Sequence, residues 1–338
     1  MQTKPMTLAG LTDYLRQCRE AMPQGAVFVC GHDAPDTDAV VSSIAEGYRR
    51  YLTDGTPAVP ILPAENLPAE IAWLLGKELT AQLLLKRDVS EAIAAGGTRF
   101  ILTDHHDVAD KHVVAIVDHH LPSAAVLDGI DTVIRPVGAA TTLVVQRCLK
   151  DGLVPDAALA RLLLGAILAD TEGLSPAKAR TEDRAVAEWL TALWSGDPAA
   201  LFTDLRARLL AEGDLPTLYR RDYRRFGDAL GFAVIKVWDT APIDEAALRA
   251  MLAADREGSG VAAALAKITR YGQNGLKSET YLISASTALT QTLADAIRRA
   301  AGDAATVSSP DQIDLPAHAA HLSRKRLTPI LLPLLKNP

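Results

Sequence analysis

The chain has 338 residues, 49% of them hydrophobic, with a formal net charge of −6 and a pI of about 5.8. That length predicts two domains. The acidic balance excludes a globally basic nucleic-acid binder, yet allows an anionic substrate wherever a metal or local cations reverse the field inside a cleft.

In chain order, the first twenty residues carry Lys4, Asp13, Arg16, Arg19 and Glu20 and no apolar stretch of the signal-peptide kind. "AVFVC" (Ala26–Cys30) reads as a short buried strand, followed by a helix over residues 38–52. "PAEIAWLLGKEL" has a helical pattern. "RFILT" (Arg99–Thr103) and "VVAIV" (Val113–Val117) are two further strand-like runs. "PDAALARLLLGAILADT" predicts a buried helix with Asp156 near its start. Its apolar run is too short to span a bilayer, so a cytoplasmic protein with no membrane partner is expected. Strands alternating with helices predict an α/β fold with a mainly parallel sheet. The pattern changes after about Ser195, and "LRARLLAEGDLP" mixes charge, Gly and Pro as a hinge would. A second set follows: "GFAVIKVW" and "TYLISAS" as strands, "DEAALRAMLAADR" and "TLADAIRRAA" as helices. The end, "HLSRKRLTPILLPLL", reads as a basic segment tied down by an apolar docked tail. Three widely spaced cysteines without a CxxC argue against a disulfide framework or a structural zinc site.

Acid and imidazole gather where the strands end. The first run delivers His32, Asp36 and Asp38, the second Asp104 with His105 and His106, the third Asp118 with His119 and His120. Asp170 closes the buried "LLLGAILAD" helix. In open α/β sheets the functional crevice lies at the carboxyl ends of the strands, so these tips can share one cleft. Carboxylates crowded together repel, and burial penalises each charge; divalent cations relieve both. Mixed His and Asp donors suit Mn²⁺, Co²⁺ or Zn²⁺, whereas an all-oxygen set would favour Mg²⁺ or Ca²⁺.

Taken together, "GHDAPDTDAV", "LTDHH", "IVDHH", "RPVGAATTLV", "AILADT" and "SRKR" resemble, in that order, the motifs of the DHH phosphoesterase superfamily with a DHHA2 C-terminal domain. The chain is most similar to its family II, manganese-dependent inorganic pyrophosphatases. The resemblance implies a DHH catalytic domain over residues 1–207, a linker over 208–215 and a smaller α/β DHHA2 domain over 216–338, with the active site in the cleft between them. It implies two divalent ions, Mn²⁺ with Co²⁺ as an alternative, and further Mg²⁺ or Mn²⁺ arriving with substrate. One ion would take His32, Asp36 and Asp104, and the other Asp38, Asp104, His119 and Asp170, so that Asp104 bridges. Asp118 would orient its neighbours, and His120 would touch the leaving or bridging oxygen of pyrophosphate. Arg324 and Lys325 would clamp phosphate, with Arg224, or Arg225 if the alignment slips by one, in place of a family lysine. A water shared by the two ions would attack in line. A homodimer is implied by resemblance alone.

The chain departs from the family pattern at Ala34 and His106, where Asn is usual. It also carries Lys178 and Arg180 in "SPAKARTED", cations that suit either a solvated loop or a longer polyphosphate. The competing readings are an exopolyphosphatase trimming short chains, a phosphodiesterase, and a catalytically weak metal-binding protein. His105 reads as support for its strand end; His112, His318 and His321 read as surface or packing residues, and Trp73, Trp189, Trp194 and Trp238 as core or interdomain aromatics.

Overall fold

The computed structural model describes residues 3–22, 25–33, 35–62, 67–94, 98–106, 112–120, 130–210, 213–272, 275–316 and 322–336. The chain forms two compact units, Met1–Leu209 and Leu210–Pro338.

The first unit runs β1 (Lys4–Met6), α1 (Leu8–Glu20), β2 (Val27–Cys30), α2 (Thr37–Asp54), β3 (Ala58–Leu62), α3 (Ala69–Gln82), β4 (Leu84–Leu85), α4 (Ser90–Ala94), β5 (Arg99–Thr103), β6 (Val113–Asp118), β7 (Asp131–Ile134), α5 (Ala140–Lys150), β8 (Leu153–Pro155), α6 (Ala157–Asp170), α7 (Thr181–Trp194) and α8 (Pro198–Leu209). Its main sheet has six strands in the order β4-β3-β2-β5-β6-β7, each adjacent pair parallel. The unbroken apolar runs of β2 and β3 fit strands covered on both faces. β1 and β8 form a separate parallel pair. Strand order grows outward in one direction from β2 to β4 and in the other from β5 to β7. The reversal between β2 and β5 is a topological switch point, the place where such sheets open a crevice.

Helix α6 is buried at nearly every position from Leu159 to Leu168 and packs against α2, α7 and α8. Asp156 caps it, accepting the Leu159 N–H at 2.8 Å. Helix α2 sits tightly on the sheet because residue 31 is glycine: a Cβ there would meet Ala39 Cβ at 2.7 Å and the Ala39 carbonyl at 2.8 Å. One buried charge cluster braces α2 from behind. Glu46, fully buried, accepts from Arg49 and Arg50 at 2.8 Å, with Arg147 at 3.5 Å.

The second unit runs α9 (Leu215–Arg221), β9 (Tyr223–Phe226), β10 (Leu230–Trp238), α10 (Glu245–Ser259), β11 (Ala263–Gly272), β12 (Gly275–Ser284), α11 (Thr287–Ala301), β13 (Thr306–Ser309), β14 (Gln312–Pro316) and α12 (Arg324–Lys336). Its six-stranded sheet has the order β13-β14-β12-β11-β10-β9, with β10 and β11 parallel and the other pairs antiparallel. The expected docked tail is a helix, α12, despite Pro329 and Pro333 inside it. Each proline removes a backbone donor. Leu327, Leu331 and Leu335 recur every four residues and bury in the core beside Leu293 and Ile297 of α11, which offsets that loss.

The α/β class, with a mainly parallel sheet followed by a second, mixed unit, agrees with the sequence reading. Among the described residues no helix is long and apolar enough to cross a membrane. All three cysteines are free thiols.

Burial opposes ionisation of Glu46, but Arg49 first, then Arg147 and Arg50, outweigh it and hold its carboxyl below the ordinary value. The stabilisation is therefore complete above the unfolded carboxyl's pKa of about 4.3 and lost as pH falls through the lower folded value. Glu46→Gln should cost about 3 kcal/mol of first-unit stability at pH 7 by removing the buried carboxylate that Arg49, Arg50 and Arg147 share, leaving them only the more exposed Asp151 and Asp131. Urea unfolding measured at pH 7 and again in acid checks this, and the gap between parent and variant should narrow in acid.

Candidate metal centre

Sheet register sets the height of the candidate ligands. Cys30 pairs with Leu102, and Leu102 with Ile116. His32, Asp104 and Asp118 each follow one of these residues by two, so all three leave the sheet together at its carboxyl edge. Asp36 is the N-cap of α2, accepting the Ala39 N–H at 3.0 Å, and Asp38 lies in that helix's first turn. A helix N-terminus favours both carboxylates. Asp170 is the last residue of α6.

The donor atoms converge in three groups, in each of which one atom per residue lies within 4.8 Å of the others. These are His32, Asp36 and Asp104; Asp38, His119 and Asp170; and Asp104, Asp118, His119 and His120. Asp104 joins them. Its Oδ2 is 3.3 Å from His32 Nε2, and its Oδ1 is 3.0 Å from His119 Nε2. His32 Nε2 is also 3.4 Å from Asp36 Oδ2, and His119 Nε2 is 3.4 Å from Asp170 Oδ2. Asp104 is 1% exposed and adopts a left-handed backbone (φ 59°), which Asp tolerates better than most residues and which costs strain.

A supporting layer orients these groups. Asp118, fully buried, directs Oδ1 to the backbone N–H groups of His119 and His120 and to His120 Nδ1 at 2.6 Å; its Oδ2 meets His106 Nδ1. His119 Nδ1 faces the Val137 carbonyl at 3.0 Å, so its Nε2 is the nitrogen turned to the carboxylates. Among the described residues, His120 Nε2 is buried without a hydrogen-bond partner. Asp38 accepts the Ala140 and Thr141 N–H groups at 2.6 and 2.9 Å, tying α2 to the start of α5. Three carboxylates and two imidazoles gathered around Asp104, with His120 Nε2 left unbonded, fit a site for divalent cations.

The protons follow the same logic. Burial disfavours the charged form of His32, but Asp104 and Asp36 outweigh it and raise its pKa to about 10. Burial likewise opposes charge on His119, and Asp104, Asp170 and Asp38 raise it to about 10. Burial, then Asp104 and Asp170, push Asp38 well above the ordinary carboxyl value, and burial raises Asp170 to about 6. Free of cations, the cluster holds protons in their place.

Every expected metal ligand lies in this cluster, and so does His120. His105 supports its strand end through Nδ1 and the Thr103 carbonyl, at 3.0 Å. Lys178 reaches the centre's rim: its ammonium donates to the Asp170 carbonyl at 3.2 Å and pairs with Glu172 at 3.1 Å. Sequence reading missed Asp183, buried at the start of α7, which accepts from the Gly138 N–H, the Thr142 hydroxyl and the Arg180 N–H. Gly138 is required beside it, since a Cβ would meet Asp183 Oδ2 at 2.7 Å. The only hint in sequence was the Gly of "RPVGAATTLV".

In the second unit, Arg324 at the start of α12 donates Nη1 to the Asp222 carbonyl at 2.8 Å and Nη2 to Asp222 Oδ1 at 2.5 Å. Burial first, with Arg224 adding to it against the pull of Asp222, holds Arg324 below its ordinary value. Arg324 Nη1 also lies 3.4 Å from the carbonyl of Phe232, the cross-strand partner of Arg224. Arg224 Nε is buried without a partner, while Arg225 turns outward to Asp228. Strand alternation separates the two side chains, which favours Arg224 over Arg225 as the cation beside Arg324. Ala34, the Lys325 side chain, His318 and His321 lie outside the described residues. Trp73, Trp189 and Trp194 pack against the first unit's core.

Residues 26–167 match the DHH family, N-terminal domain. A "Probable manganese-dependent inorganic pyrophosphatase" from Streptococcus pyogenes is 30% identical to this chain over 177 residues, 49% of this chain and 55% of that protein. The same figures hold for that protein in several serotypes, so the chain spans about half the length of the curated relatives it matches. The crystal structure of a "putative family II inorganic pyrophosphatase" from Methanococcus jannaschii aligns with a TM-score of 0.67 at 18% identity, covering 92% of this chain and all of that one. That likeness is one of fold, and it extends beyond the DHH domain.

A metal ion bound here would compete with protons for His32, His119, Asp38 and Asp170. Because those imidazoles hold protons up to about pH 10 in the cation-free site, apparent Mn²⁺ affinity should rise steadily from pH 6 to pH 9, with proton release on binding. Calorimetric titration in two buffers of different ionisation enthalpy measures both.

Proposed function

We propose that this protein is a divalent-metal-dependent phosphoanhydride hydrolase whose preferred substrate is inorganic pyrophosphate. The observation that carries the reading is the meeting of His32, Asp36, Asp38, Asp104, His119 and Asp170 in donor groups linked through Asp104 on one side and His119 on the other. The DHH domain match and the name of the manganese-dependent relatives support it.

Two divalent cations, Mn²⁺ by the donor set and the relatives' name, would supply Lewis-acid polarisation of phosphoryl oxygens and acidification of water near neutral pH. The chain's own part is positional. His32, Asp36 and Asp104 form one ligand set, and Asp38, Asp104, His119 and Asp170 the other. Asp118 holds His120 by Nδ1 and so aims Nε2 at the bridging or leaving oxygen of the substrate. A proton on that nitrogen can pass to the departing phosphate. Arg324, Lys325 and Arg224 are assigned to phosphate binding, where a planar guanidinium matches two phosphate oxygens at once.

Phosphate release from pyrophosphate, tripolyphosphate and a dinucleotide, each with Mn²⁺ and with chelator, tests the reading. Pyrophosphate should be fastest, and chelator should abolish turnover. Equal release from all three, or from none, contradicts the proposal; tripolyphosphate in first place indicates an exopolyphosphatase. Asp104→Ala should lower turnover by at least about 10³-fold, the scale on which an essential group acts. Arg324→Ala should raise KM roughly tenfold, the loss of one charge-assisted contact, while Mn²⁺ binding stays at the parental level.

A further inference from the structure

The second unit buries an ion pair in the middle of its sheet. Lys267 on β11 and Glu279 on β12 are each 2% exposed, with Nζ and Oε1 2.6 Å apart. Desolvating two charges costs about as much as their attraction returns, so well-packed apolar side chains in the same space would be equally or more stabilising. Such a pair needs another account. One lies in the third contact of the ammonium: Lys267 Nζ donates to the Leu322 carbonyl at 2.8 Å. Tyr281, the cross-strand partner of Lys267, puts its hydroxyl 3.0 Å from the same carbonyl and 2.9 Å from Glu279 Oε2.

Leu322 stands two residues before the start of α12, with Ser323 between them. The Ser323 carbonyl accepts the Arg326 and Leu327 N–H groups, opening the helix, and Arg324 is its first residue. The main chain entering the helix is therefore held to the sheet by Lys267. At its other end, the Arg324 side chain gives its Nη1–Nη2 edge to Asp222. That grip leaves the Nε–Nη2 edge for an anion, in the side-on geometry suited to two phosphate oxygens. With the backbone pinned at one end and the guanidinium at the other, Arg324 has little freedom to lose on binding.

We infer that Lys267, charge-balanced by Glu279, is a positioning residue that fixes the Leu322 carbonyl and thereby aims Arg324 at a substrate phosphate. The inference rests on the phosphate-binding role proposed above for Arg324. In this arrangement the ion pair serves placement, and stability and function should respond to its removal in opposite directions.

The test is the K267M/E279L variant of the full chain, alongside Y281F, R324A and K267M/E279L/R324A. K267M/E279L should keep a Tm at or above the parent and parental Mn²⁺ binding. Its KM for pyrophosphate should rise roughly tenfold, as expected when a binding group is displaced by a fraction of an ångström to an ångström. Hydrogen exchange at the Arg326 and Leu327 amides should quicken by about tenfold, because the helix start is released. Y281F, which leaves the ion pair in place, should raise KM about threefold, the smaller loss expected from one neutral hydrogen bond. On the R324A background the double substitution should add no further KM change. Unfolding of K267M/E279L, kcat/KM within twofold of the parent, unchanged amide exchange, or a KM effect additive with R324A would each overturn the inference. A parental KM in R324A would instead overturn the phosphate-binding role of Arg324, and the exchange data would still decide whether Lys267 anchors the helix.

Discussion

Mutual repulsion among carboxylates is the constraint around which the first unit is built. Asp38, Asp104 and Asp170 are drawn toward two imidazoles in a pit where water is scarce, with Asp36 at its open side. No arrangement of those charges is comfortable without positive charge between them. In the cation-free state protons fill that role, on His32 and His119, on the raised Asp38 and, below about pH 6, on Asp170. Divalent cations fill it better, since each brings two charges and accepts several donors at once. Any metal bound there would be linked to first-unit stability, since whatever binds the folded arrangement alone stabilises it.

The rest of the first unit supplies the force that keeps repelling groups together. Strain is visible at Asp104, whose left-handed backbone is paid for by the sheet on one side and the histidines on the other. Restraint is visible at Asp118, whose carboxylate gathers two backbone N–H groups and two imidazoles. His106 works within this restraint, since its ring meets the Asp118 oxygen that His120 does not use. Asp38 and Asp183 bind helix starts to one another, so the α2, α5 and α7 termini move as a set.

The second unit follows a different rule. Its anion-binding candidates are cations held by the protein's own acceptors: Arg324 by Asp222, with Arg224 close by. Helix α12 forms against the propensity of its two prolines because three leucines on one face bury in a finished core. Tertiary burial here decides a local conformation that propensity opposes.

The clustered residues stood out in the sequence because they gather where apolar runs end: His32, Asp36 and Asp38 in the turn after β2, Asp104 and His119 at the ends of β5 and β6, and Asp170 at the end of α6. Periodicity also made β2, β5, β6, α2 and α6 readable, along with the α/β class. Short or mixed strands such as β7, β9 and β13 carried too little pattern to be seen, and α12 was hidden by its prolines. Residues that support the centre, Asp183 above all, looked like ordinary helix-start acids, because a buried hydrogen bond to a residue 45 positions away leaves no local trace. The sequence by itself determined which side chains could ligate a cation and which segments would end in them. Only the tertiary structure decided that β2 and β5 are neighbours in parallel register, that Asp104 stands between two histidines, and that Arg225 turns outward to Asp228. Those facts depend on contacts between distant segments, and strand order is set by how whole faces pack, which no local spacing of residues records.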